Sequence, residues 1–413
     1  MRVTILEQRY GGGHFLAYVA RLIRALDGVA DEIVLATPAG CEASPQYGVH
    51  LASLRDRFSI LPVQERWEVH KLSPIKLVPI YADTIRDAVT RSHCDAILIP
   101  GADGIAEAAG LARLIGRRAI PKGVHAEALL IRGPVAYGFT QARRTAFLQR
   151  LALRWMPFDL VHFIDPVVYG WAKSLSRGLS RRCSFVPDPI DPAPTIDKVE
   201  ARQALGWPLE ARIALSIGPQ DDRKGSDVLL NAAKIAKLGP DDRIVMAGVC
   251  TPQIRELAAA MLADPVVRQR VILMDRYLSK TEFEQAMAGA DLIVNPYKPQ
   301  PHPSGVTLQA AAAGKRVLTS DKGWFAHVVG PFQLGDMCDA QSVEALAAAL
   351  PASLDKAMTH TQGPACKLLL DFHHPDNFAR AWRAGLLKRM GRTPDASMPS
   401  WDELVAEAKS LRR

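Results

Sequence analysis

The sequence lacks the two features that most directly mark a secreted or membrane protein. Only six of its 413 residues are cysteine, and they are widely spaced, with no Cys-x-x-Cys pair. A long chain of this kind is typical of a reducing compartment, without a disulfide framework or zinc finger. No segment has the roughly 18 uncharged apolar residues of a membrane-spanning helix, and the apolar start at residues 3–6 is too short for a signal peptide. We therefore expect a cytoplasmic protein.

Short motifs of several enzyme classes are also missing. The chain contains no Gly-x4-Gly-Lys-Ser/Thr, so P-loop phosphoryl transfer is not supported. Gly11-Gly12-Gly13-His14 follows the first apolar run but lacks the last glycine of a dinucleotide fingerprint. The second apolar run ends at Thr37-Pro38 without the acidic residue that would bind a ribose. We therefore expect no nicotinamide cofactor.

The composition indicates a globular chain with an anionic partner. Hydrophobic residues make up 48% and charged residues 23%, which is enough apolar material for a large core. The formal net charge is +8 and the isoelectric point about 9.2. This balance favours a nucleotide diphosphate, an acidic lipid surface or nucleic acid. Because the excess charge is spread along the chain, composition does not choose among them.

Apolar runs alternate with amphipathic stretches, and this pattern occurs twice. The first set of predicted buried strands comprises residues 3–6, 32–36, 96–100 and 160–163. The second set comprises residues 213–217, 243–247, 271–274, 292–295 and 316–319. Strand–helix alternation of this kind predicts doubly wound parallel α/β sheets. Four prolines within residues 187–194 cannot lie inside a helix or a central strand, so we place the hinge there.

The predicted organisation is an N-terminal α/β domain over residues 1–188 and a second α/β domain over residues 189–360. Residues 361–413 read as C-terminal helices that pack back toward the first domain. In this last region, the two histidines before Pro375-Asp376 are better explained by a turn and a helix cap than by a metal site.

The most informative element is a strand–loop–helix unit over residues 291–321. Ser304 stands at an N-cap position before an alanine-rich helix. The first-turn N–H groups of such a helix have no intrahelical partner, and the helix dipole adds partial positive charge. A diphosphate fits there, and Gly305 leaves room for close approach. The alternative is an ordinary unit whose small residues serve packing.

A loop with two cations follows the predicted strand at residues 213–217. Arg223 and Lys224 precede Gly225, just before a predicted helix. Such a pair suits a bound diphosphate, and where a diphosphate gains charge as it leaves, a fixed cation facing it contributes on the order of 10²–10³ in rate. A solvated basic loop is the alternative reading.

Taken together, these elements resemble the retaining family-4, or group 1, glycosyltransferases of the GT-B fold. The resemblance rests on the helix with its Ala-Gly-Lys ending at residues 313–315, on Ser-Gly-Val before it, and on residues 185–191 and 215–230. It implies two Rossmann-like doubly wound domains that face each other across a cleft. The donor would bind the second domain and the acceptor mainly the first.

The resemblance also implies roles for individual residues and partners. The donor would be a nucleotide-diphosphate sugar and the acceptor a glycan or a lipid-linked glycan, with no nucleic acid. His125, read as lying just past a strand end, would contact the transferred sugar as the catalytic residue. Gly11, Gly12, Gly13 and His14 would form the loop on the acceptor and sugar side, although His14 alone is also typical of packing or capping. The donor-binding residues would be Arg223, Lys224, Ser304, Gly305, Val306, Thr307 and Gln309.

Metal-dependent transfer of the GT-A class is not expected, because the chain contains no Asp-x-Asp. The resemblance therefore implies neither a metal nor any other cofactor.

Two positions depart from the family pattern. Gln309 stands where a glutamate would bond the ribose, and Pro301 stands where the other family carboxylate is expected. A catalytically degenerate protein that binds a nucleotide sugar, or that acts as an assembly partner, is therefore the alternative function.

Residues 143–155 form a basic amphipathic stretch. It could contact an anionic membrane peripherally, as enzymes with lipid-linked acceptors do, or it could be an ordinary helix with its basic face in water.

Overall fold

The computed structural model of the chain describes residues 1–11, 14–65, 74–131, 143–298, 303–395 and 398–411. Contacts divide it into two compact units. The first comprises Met1–Pro189 and Pro375–Ser400, and the second comprises Ile190–His374 and Trp401–Arg413. The sequence-based division grouped residues 361–413 together, whereas here residues 375–400 group with the first unit and the flanking segments with the second.

The first unit is built on a seven-stranded sheet in the order β3-β2-β1-β4-β5-β6-β7, with every neighbouring pair parallel. The central strands are buried along nearly their whole length, as expected when helices cover both faces of a parallel sheet. Its strands are β1 (Arg2–Leu6), β2 (Glu32–Pro38), β3 (Ser59–Val63), β4 (Ala96–Ile99), β5 (His125–Leu130), β6 (Leu160–Phe163) and β7 (Cys183–Phe185).

Helices of the first unit pack on both faces of this sheet. One face carries the core that includes Val78, Ile85 and Phe158, and the other the core that includes Leu22, Phe378 and Trp382. Its helices are α1 (Phe15–Ala25), α2 (Pro45–His50), α3 (Pro74–Ser92), α4 (Ile105–Leu114), α5 (Arg143–Trp155), α6 (Pro166–Leu175), α7 (Arg177–Ser180) and, from the C-terminal part of the chain, α17 (Pro375–Arg389).

The second unit has a six-stranded parallel sheet in the order β10-β9-β8-β11-β12-β13. Its strands are β8 (Arg212–Ile217), β9 (Asp242–Ala247), β10 (Val271–Met274), β11 (Leu292–Asn295), β12 (Arg316–Ser320) and β13 (Gly335–Cys338). Its helices are α8 (Lys198–Leu205), α9 (Ser226–Ile235), α10 (Pro252–Leu262), α11 (Pro265–Arg270), α12 (Lys280–Gly289), α13 (Gly305–Ala312), α14 (Trp324–Val328), α15 (Val343–Met358), α16 (Pro364–Phe372) and α18 (Trp401–Ser410).

Local sequence explains where many of these helices begin. Ser279, Ser304 and Ser342 each accept a hydrogen bond from an amide of the following first turn. Asp165 and Asp197 do the same for α6 and α8. The prediction of two doubly wound α/β units is confirmed, and each predicted strand lies within an observed one or overlaps it.

Candidate functional site

The candidate site of the second unit lies where the strand order reverses. Strand β8 is flanked by β9 on one side and by β11 on the other, so the connections leave β8 and β11 in opposite directions. Ligands of open α/β sheets bind in the crevice beyond the carboxyl ends of such strands. The loops that follow β8 and β11 contain the predicted cation pair and lead into the predicted phosphate-binding helix.

The loop after β8 is fixed by a buried glutamine. Gln220 donates to the carbonyl oxygen of Gly218 at 2.9 Å and accepts from the hydroxyl of Ser226 at 2.9 Å. Asp221 then caps a single helical turn by accepting from the amide of Lys224 at 2.8 Å. These bonds tie both ends of the loop to the sheet or to α9 and fix the backbone that carries the cation pair.

Gly225 allows the two loops to touch. Its φ of 68° is in the left-handed region. A Cβ atom added there would overlap the carbonyl oxygen of Pro296, just past β11. Beside it, Lys298 donates its main-chain N–H to the carbonyl oxygen of Arg223 at 3.0 Å. The ammonium of Lys298 also pairs with Asp222 and, at 3.1 Å, with Asp227.

Lys224 is buried rather than solvated, with 2% of its surface exposed. Its ammonium donates to the carbonyl oxygen of Ile217, the last residue of β8. Burial, with a smaller effect from the charge of Arg223, lowers the pKa of Lys224 to about 7. The residue is therefore only about half charged at neutral pH, and a neighbouring anion would favour its protonated form.

Arg223 is more accessible and lies over an aromatic ring. Its guanidinium carbon is 5.5 Å from the ring centroid of Tyr297, and the Lys224 ammonium is 5.4 Å from the same centroid. Asp221 accepts from Arg223 at 3.3 Å. Both predicted cations thus converge on Tyr297, which is buried against Phe325 at 5.4 Å between ring centroids.

The start of α13 is organised by a buried hydroxyl network. Ser304 caps the helix, and its hydroxyl lies 3.2 Å from that of Thr307. Asn295, the last residue of β11, donates to the Thr307 hydroxyl at 3.1 Å. The main-chain N–H of Thr307 donates to the hydroxyl and the carbonyl oxygen of Ser304. Among the described residues, the amides of Gly305 and Val306 form no hydrogen bond, so these two groups remain for a ligand.

The structure describes one of the two positions that depart from the family pattern. Gln309 is half-buried on α13, one turn after the open amides. Pro301 lies outside the described residues.

The first unit has a matching reversal point, between β1 and β4. Glu7 directly follows β1 and is fully buried, and the amide of the partly buried Arg9 donates to the Glu7 carboxylate at 2.9 Å. A Cβ atom at Gly101, just past β4, would overlap both side chains. Burial raises the pKa of Glu7, and the positive charge of Arg9 opposes this.

Several polar atoms around Glu7 are buried without a hydrogen-bond partner. The described atoms of this kind here are Glu7 Oε2, Gln8 Nε2, Arg9 Nη2 and Thr37 Oγ1. Buried polar atoms without partners are uncommon and call for an explanation. A hydroxyl-rich ligand at this edge of the sheet would provide one.

Of the predicted glycine loop, the structure describes Gly11, five residues past the end of β1, and His14. Gly11 is exposed, while Gly12 and Gly13 lie outside the described residues. His14 precedes α1 without making a side-chain cap, and its ring stacks on Tyr18 with 6.1 Å between centroids.

The predicted position of His125 is wrong. His125 does not follow a strand; it is the first residue of β5 and lies at the amino edge of the sheet, opposite to Glu7 and Gly11. It is buried between Glu127 at 2.7 Å and Asp159 at 3.2 Å. Burial opposes its charge, but these two carboxylates outweigh burial and raise the pKa of His125 to about 9. Strand β5 went unrecognised because its first residues, His-Ala-Glu, lack an apolar run.

Two further expectations concern metals and membranes. Within the described ranges, no group of three or more His, Cys, Asp or Glu side chains is placed to hold a metal ion. No described helix has the length and apolar character needed to cross a membrane. Helix α5 exposes Phe147 and Trp155 together with Arg150 and Arg154.

Part of the second unit is similar to a known protein family. Residues 211–356 match the family model described as glycosyl transferases group 1. We refer to this matching part of the second unit, residues 211–356, as the glycosyltransferase domain. Over 163 residues the chain is 30% identical to a glycogen synthase of Mycobacterium tuberculosis, a match that covers 37% of this chain and 38% of that protein. The aligned region is therefore little more than a third of the curated relative.

The fold of the whole chain is that of GT-B glycosyltransferases. HepE from Anabaena, solved with UDP, superposes with a TM-score of 0.66 at 15% identity, over 94% of this chain and all of that one. Sucrose-phosphate synthase from Thermosynechococcus elongatus gives 0.68 at 16% identity, over 94% and 98% of the two chains. The predicted fold class and the resemblance to group 1 glycosyltransferases are confirmed.

Sequence reasoning missed the residues that hold the site together. Gln220, Asn295 and Lys298 organise the loops of the glycosyltransferase domain, and Glu7 and Arg9 form the buried pair of the first unit. Asn295 and Glu7 stand at or just past the end of a predicted apolar strand. A polar residue in that position was the signal that could have identified them.

Proposed function

We propose that this protein transfers a sugar, with retention of anomeric configuration, from a nucleoside diphosphate donor to a hydroxyl of a glycan or lipid-linked acceptor. The observation that carries the proposal is that two features follow the two strands at one strand-order reversal: the loop with Arg223 and Lys224 follows β8, and the helix start with the open amides of Gly305 and Val306 follows β11. These groups match a diphosphate in charge and in hydrogen-bonding character. The retaining outcome rests on the family resemblance.

The proposed chemistry depends on groups that are fixed before the reaction starts. As the bond between sugar and diphosphate breaks, negative charge grows on the leaving group. Arg223 lies at the surface of the loop and would face this charge directly. Lys224 would take up a proton when the diphosphate binds, because a neighbouring anion reverses the effect of burial on its pKa. The α13 amides would bind phosphate oxygens. No metal is required by this arrangement.

The remaining donor contacts are proposed from position. Gln309 would bond the ribose through its amide, one turn along α13 from the phosphate. The related HepE structures were solved with UDP, with UDP and glucose, and with UDP-glucose. UDP-glucose is therefore the first donor to test.

The acceptor would bind the first unit at the reversal between β1 and β4. The unpartnered polar atoms of Glu7, Gln8 and Arg9 support recognition of sugar hydroxyls there. Gly11, Gly12, Gly13 and His14 would shape the loop beside it. His125 has no part in this proposal, because it lies at the other edge of the sheet.

A lipid-linked acceptor would bring the protein to a membrane surface. Exposed Phe147 and Trp155 on α5, together with Arg150 and Arg154, support peripheral contact with an anionic membrane.

The first test measures release of nucleoside diphosphate from a panel of nucleotide sugars, with and without glycan acceptors. We expect turnover by the native protein and, for Arg223→Gln, a loss on the order of 10²-fold in kcat. Arg268→Gln, an exposed arginine in the last turn of α11, is the matched control and should turn over normally. Equal rates for the native protein and Arg223→Gln would contradict the proposal that this loop stabilises the leaving diphosphate. The anomeric configuration of the product, read by NMR, tests retention.

Gln309 and Pro301 support a second candidate, a degenerate protein that binds a nucleotide sugar without transferring it. The double variant Pro301→Glu/Gln309→Glu separates the two. A gain of transfer from an undetectable level favours degeneration, whereas a loss from a measurable level shows that the present residues serve the reaction.

A further inference from the structure

An open cavity of about 730 Å³ lies at the amino edge of the first sheet. This edge is opposite to the one that carries Glu7 and Gly11, since the lining residues directly precede β5, β6 and β7 or end the helices that lead into them. The lining residues are Arg113, Arg154, Trp155, Pro157, Phe158, Asp159, Ser176 and Arg182. The proposed donor and acceptor sites do not include this cavity, although two of its lining residues, Arg154 and Trp155, also belong to the α5 surface proposed above to contact a membrane.

Three arginines converge on the cavity from three elements. Arg113 lies in the last turn of α4, Arg154 in the last turn of α5, and Arg182 just past α7. Within the described part of the chain, neither Arg113 nor Arg154 forms an ion pair or a side-chain hydrogen bond. Two guanidinium groups are thus available to a ligand.

Arg182 is held in place by the protein. One of its terminal nitrogens donates to the carbonyl oxygens of Met156 and Phe158, both at 2.7 Å. Its Nε donates to the carbonyl oxygen of Gly178 at 3.2 Å. Burial lowers the pKa of Arg182, and the positive charge of Arg113 lowers it further. The two arginines are therefore close enough to repel each other.

The cavity has little negative charge to balance these groups. Asp159 is the one carboxylate among its lining residues. It already accepts from the amide of Ala126 at 2.9 Å and pairs with His125 at 3.2 Å. The lining therefore carries three guanidinium groups against one engaged carboxylate.

Apolar side chains flank the basic cavity. Trp155, which lines it, is 46% exposed. Ile115, which follows Arg113 by two residues in the chain, is 67% exposed. Arginines in the last turn of a helix also interact favourably with the helix dipole, which alone could explain Arg113 and Arg154. The helix dipole does not explain why Arg113 and Arg154 line the same cavity as Arg182, which is held by the carbonyl oxygens of Met156 and Phe158. An organic phosphate fits this combination, because guanidinium forks bind phosphate oxygens and the indole packs on the attached group.

We propose that this cavity is a binding site for a phosphate ester, supplied either by a soluble phosphorylated metabolite or by the headgroup of an anionic phospholipid. Arg113 and Arg154 bind the phosphate oxygens, Arg182 fixes the floor of the site, and Trp155 contacts the organic part.

The test titrates glycerol 1-phosphate into the full-length protein by calorimetry. A parallel assay measures sedimentation with phosphatidylcholine vesicles that contain or lack phosphatidylglycerol. The variant is Arg113→Gln/Arg154→Gln. Its matched control is Arg24→Gln/Arg268→Gln, which removes the same charge from two exposed arginines in the last turns of other helices. Both assays are repeated with Arg223→Gln to separate this cavity from the proposed donor site. We expect Arg223→Gln to bind both probes as the native protein does.

We expect the Arg113→Gln/Arg154→Gln protein to bind at least about tenfold more weakly than native, because two charge-assisted hydrogen bonds are lost. The control pair should remain within about twofold, since it keeps those bonds. An effect confined to glycerol 1-phosphate assigns a soluble ligand, and one confined to phosphatidylglycerol vesicles assigns the lipid. The proposal is overturned if native protein binds neither probe, or if the two double variants lose binding equally.

Discussion

Single residues decide how closely the loops of the glycosyltransferase domain approach each other. Gly225 sits against the carbonyl oxygen of Pro296, and Gly248 sits against that of Gly218. Both glycines have positive φ, so both conformation and space exclude a side chain. The position of the loop that carries Arg223 and Lys224 therefore depends on having glycine at both positions.

Replacing Gly225 with alanine should cost more than backbone strain alone. Gly206, in the same unit, has the same φ of 68° but open space around its Cβ position, so Gly206→Ala measures strain by itself. We expect Gly206→Ala to lower the free energy of unfolding by about 1–2 kcal/mol. Gly225→Ala should lower it by a further ~1–3 kcal/mol, because the new methyl group overlaps Pro296. Urea unfolding measures both. Equal losses would show that the two loops are not in contact.

The pKa of Lys224 predicts how nucleotide binding depends on pH. In the free protein this pKa is about 7, and a bound diphosphate raises it. Below pH 7 the lysine is already protonated and adds no pH dependence. Above pH 7 binding must take up a proton, so affinity for UDP should fall by up to about tenfold per pH unit until the pKa of the complex is reached.

Calorimetry with UDP, comparing the native protein with Lys224→Met, isolates this effect. The ionisation of the nucleotide itself is common to both proteins and cancels in the comparison. The native protein should lose affinity with rising pH and the variant should not. Identical pH profiles would mean that the ammonium of Lys224 does not face the diphosphate.

Residue-scale prediction from sequence succeeded where a residue acts through local backbone. Ser304 caps a helix as its type and position indicated. It did not reveal that Lys224 is buried, and it placed His125 at the wrong end of a strand, because both depend on how loops and strands pack in three dimensions. Lys224 donates a hydrogen bond to the carbonyl oxygen of Ile217 at the end of β8, and His125 pairs with the carboxylates of Glu127 and Asp159. No local pattern reports such partners.

At the scale of elements, helix α17 completes the first unit from a distant part of the chain. It covers a buried polar cluster in which Glu127 binds His125 at 2.7 Å and His162 at 2.8 Å. The ring of His162 packs on Trp382 of α17 with 4.4 Å between centroids. Gly385 lets the helix lie directly over the Glu127 carboxylate, where a Cβ atom would overlap.

Gly385→Ala should therefore destabilise the first unit although alanine favours helices. We expect a loss of about 1–3 kcal/mol from the forced displacement of α17. The control is Gly170→Ala in α6, where nothing lies near the added methyl group and alanine should stabilise by about 0.5–1 kcal/mol. Thermal unfolding distinguishes them. If Gly385→Ala is as stable as native, α17 does not pack on Glu127 this closely.

Elements were predictable where the sequence carries an apolar run. The strands predicted in both sheets have one. Three of the four missed strands lack a continuous one: β5 opens with buried polar residues, β7 has three residues, and β13 reads Gly-Asp-Met-Cys. Strand β3 contains Pro62, which is tolerated because β3 is an edge strand. Edge position and buried polar pairing are tertiary properties, so a local pattern could not supply them.

For the molecule as a whole, the C-terminal region is divided between the two units, with α17 in the first and α18 in the second. Helix α17 brings Phe378, Trp382 and Leu386, all fully buried, into the core of the first unit. Helix α18 belongs to the second unit, where Trp401 packs on Phe332 with 5.4 Å between ring centroids. Removing one or both helices should therefore affect different units.

A chain ending at residue 374 should lose cooperative unfolding of the first unit. Burial of each large apolar side chain is worth about 1.5–3 kcal/mol, and three such losses approach the whole stability of a domain. A chain ending at residue 400 keeps α17 and should retain that transition, with a weakened second unit. Calorimetric scans of the two shortened chains test this. Identical scans would contradict the assignment of α17 to the first unit.

The central claim is that the glycosyltransferase domain binds a nucleoside diphosphate at the reversal between β8 and β11. Its most direct test is a crystal structure determined with UDP. We predict phosphate oxygens at about 2.7–3.2 Å from the amides of Gly305 and Val306, with Arg223 and Lys224 facing the same diphosphate. A nucleotide bound elsewhere on the protein, or none at saturating UDP, would contradict the claim.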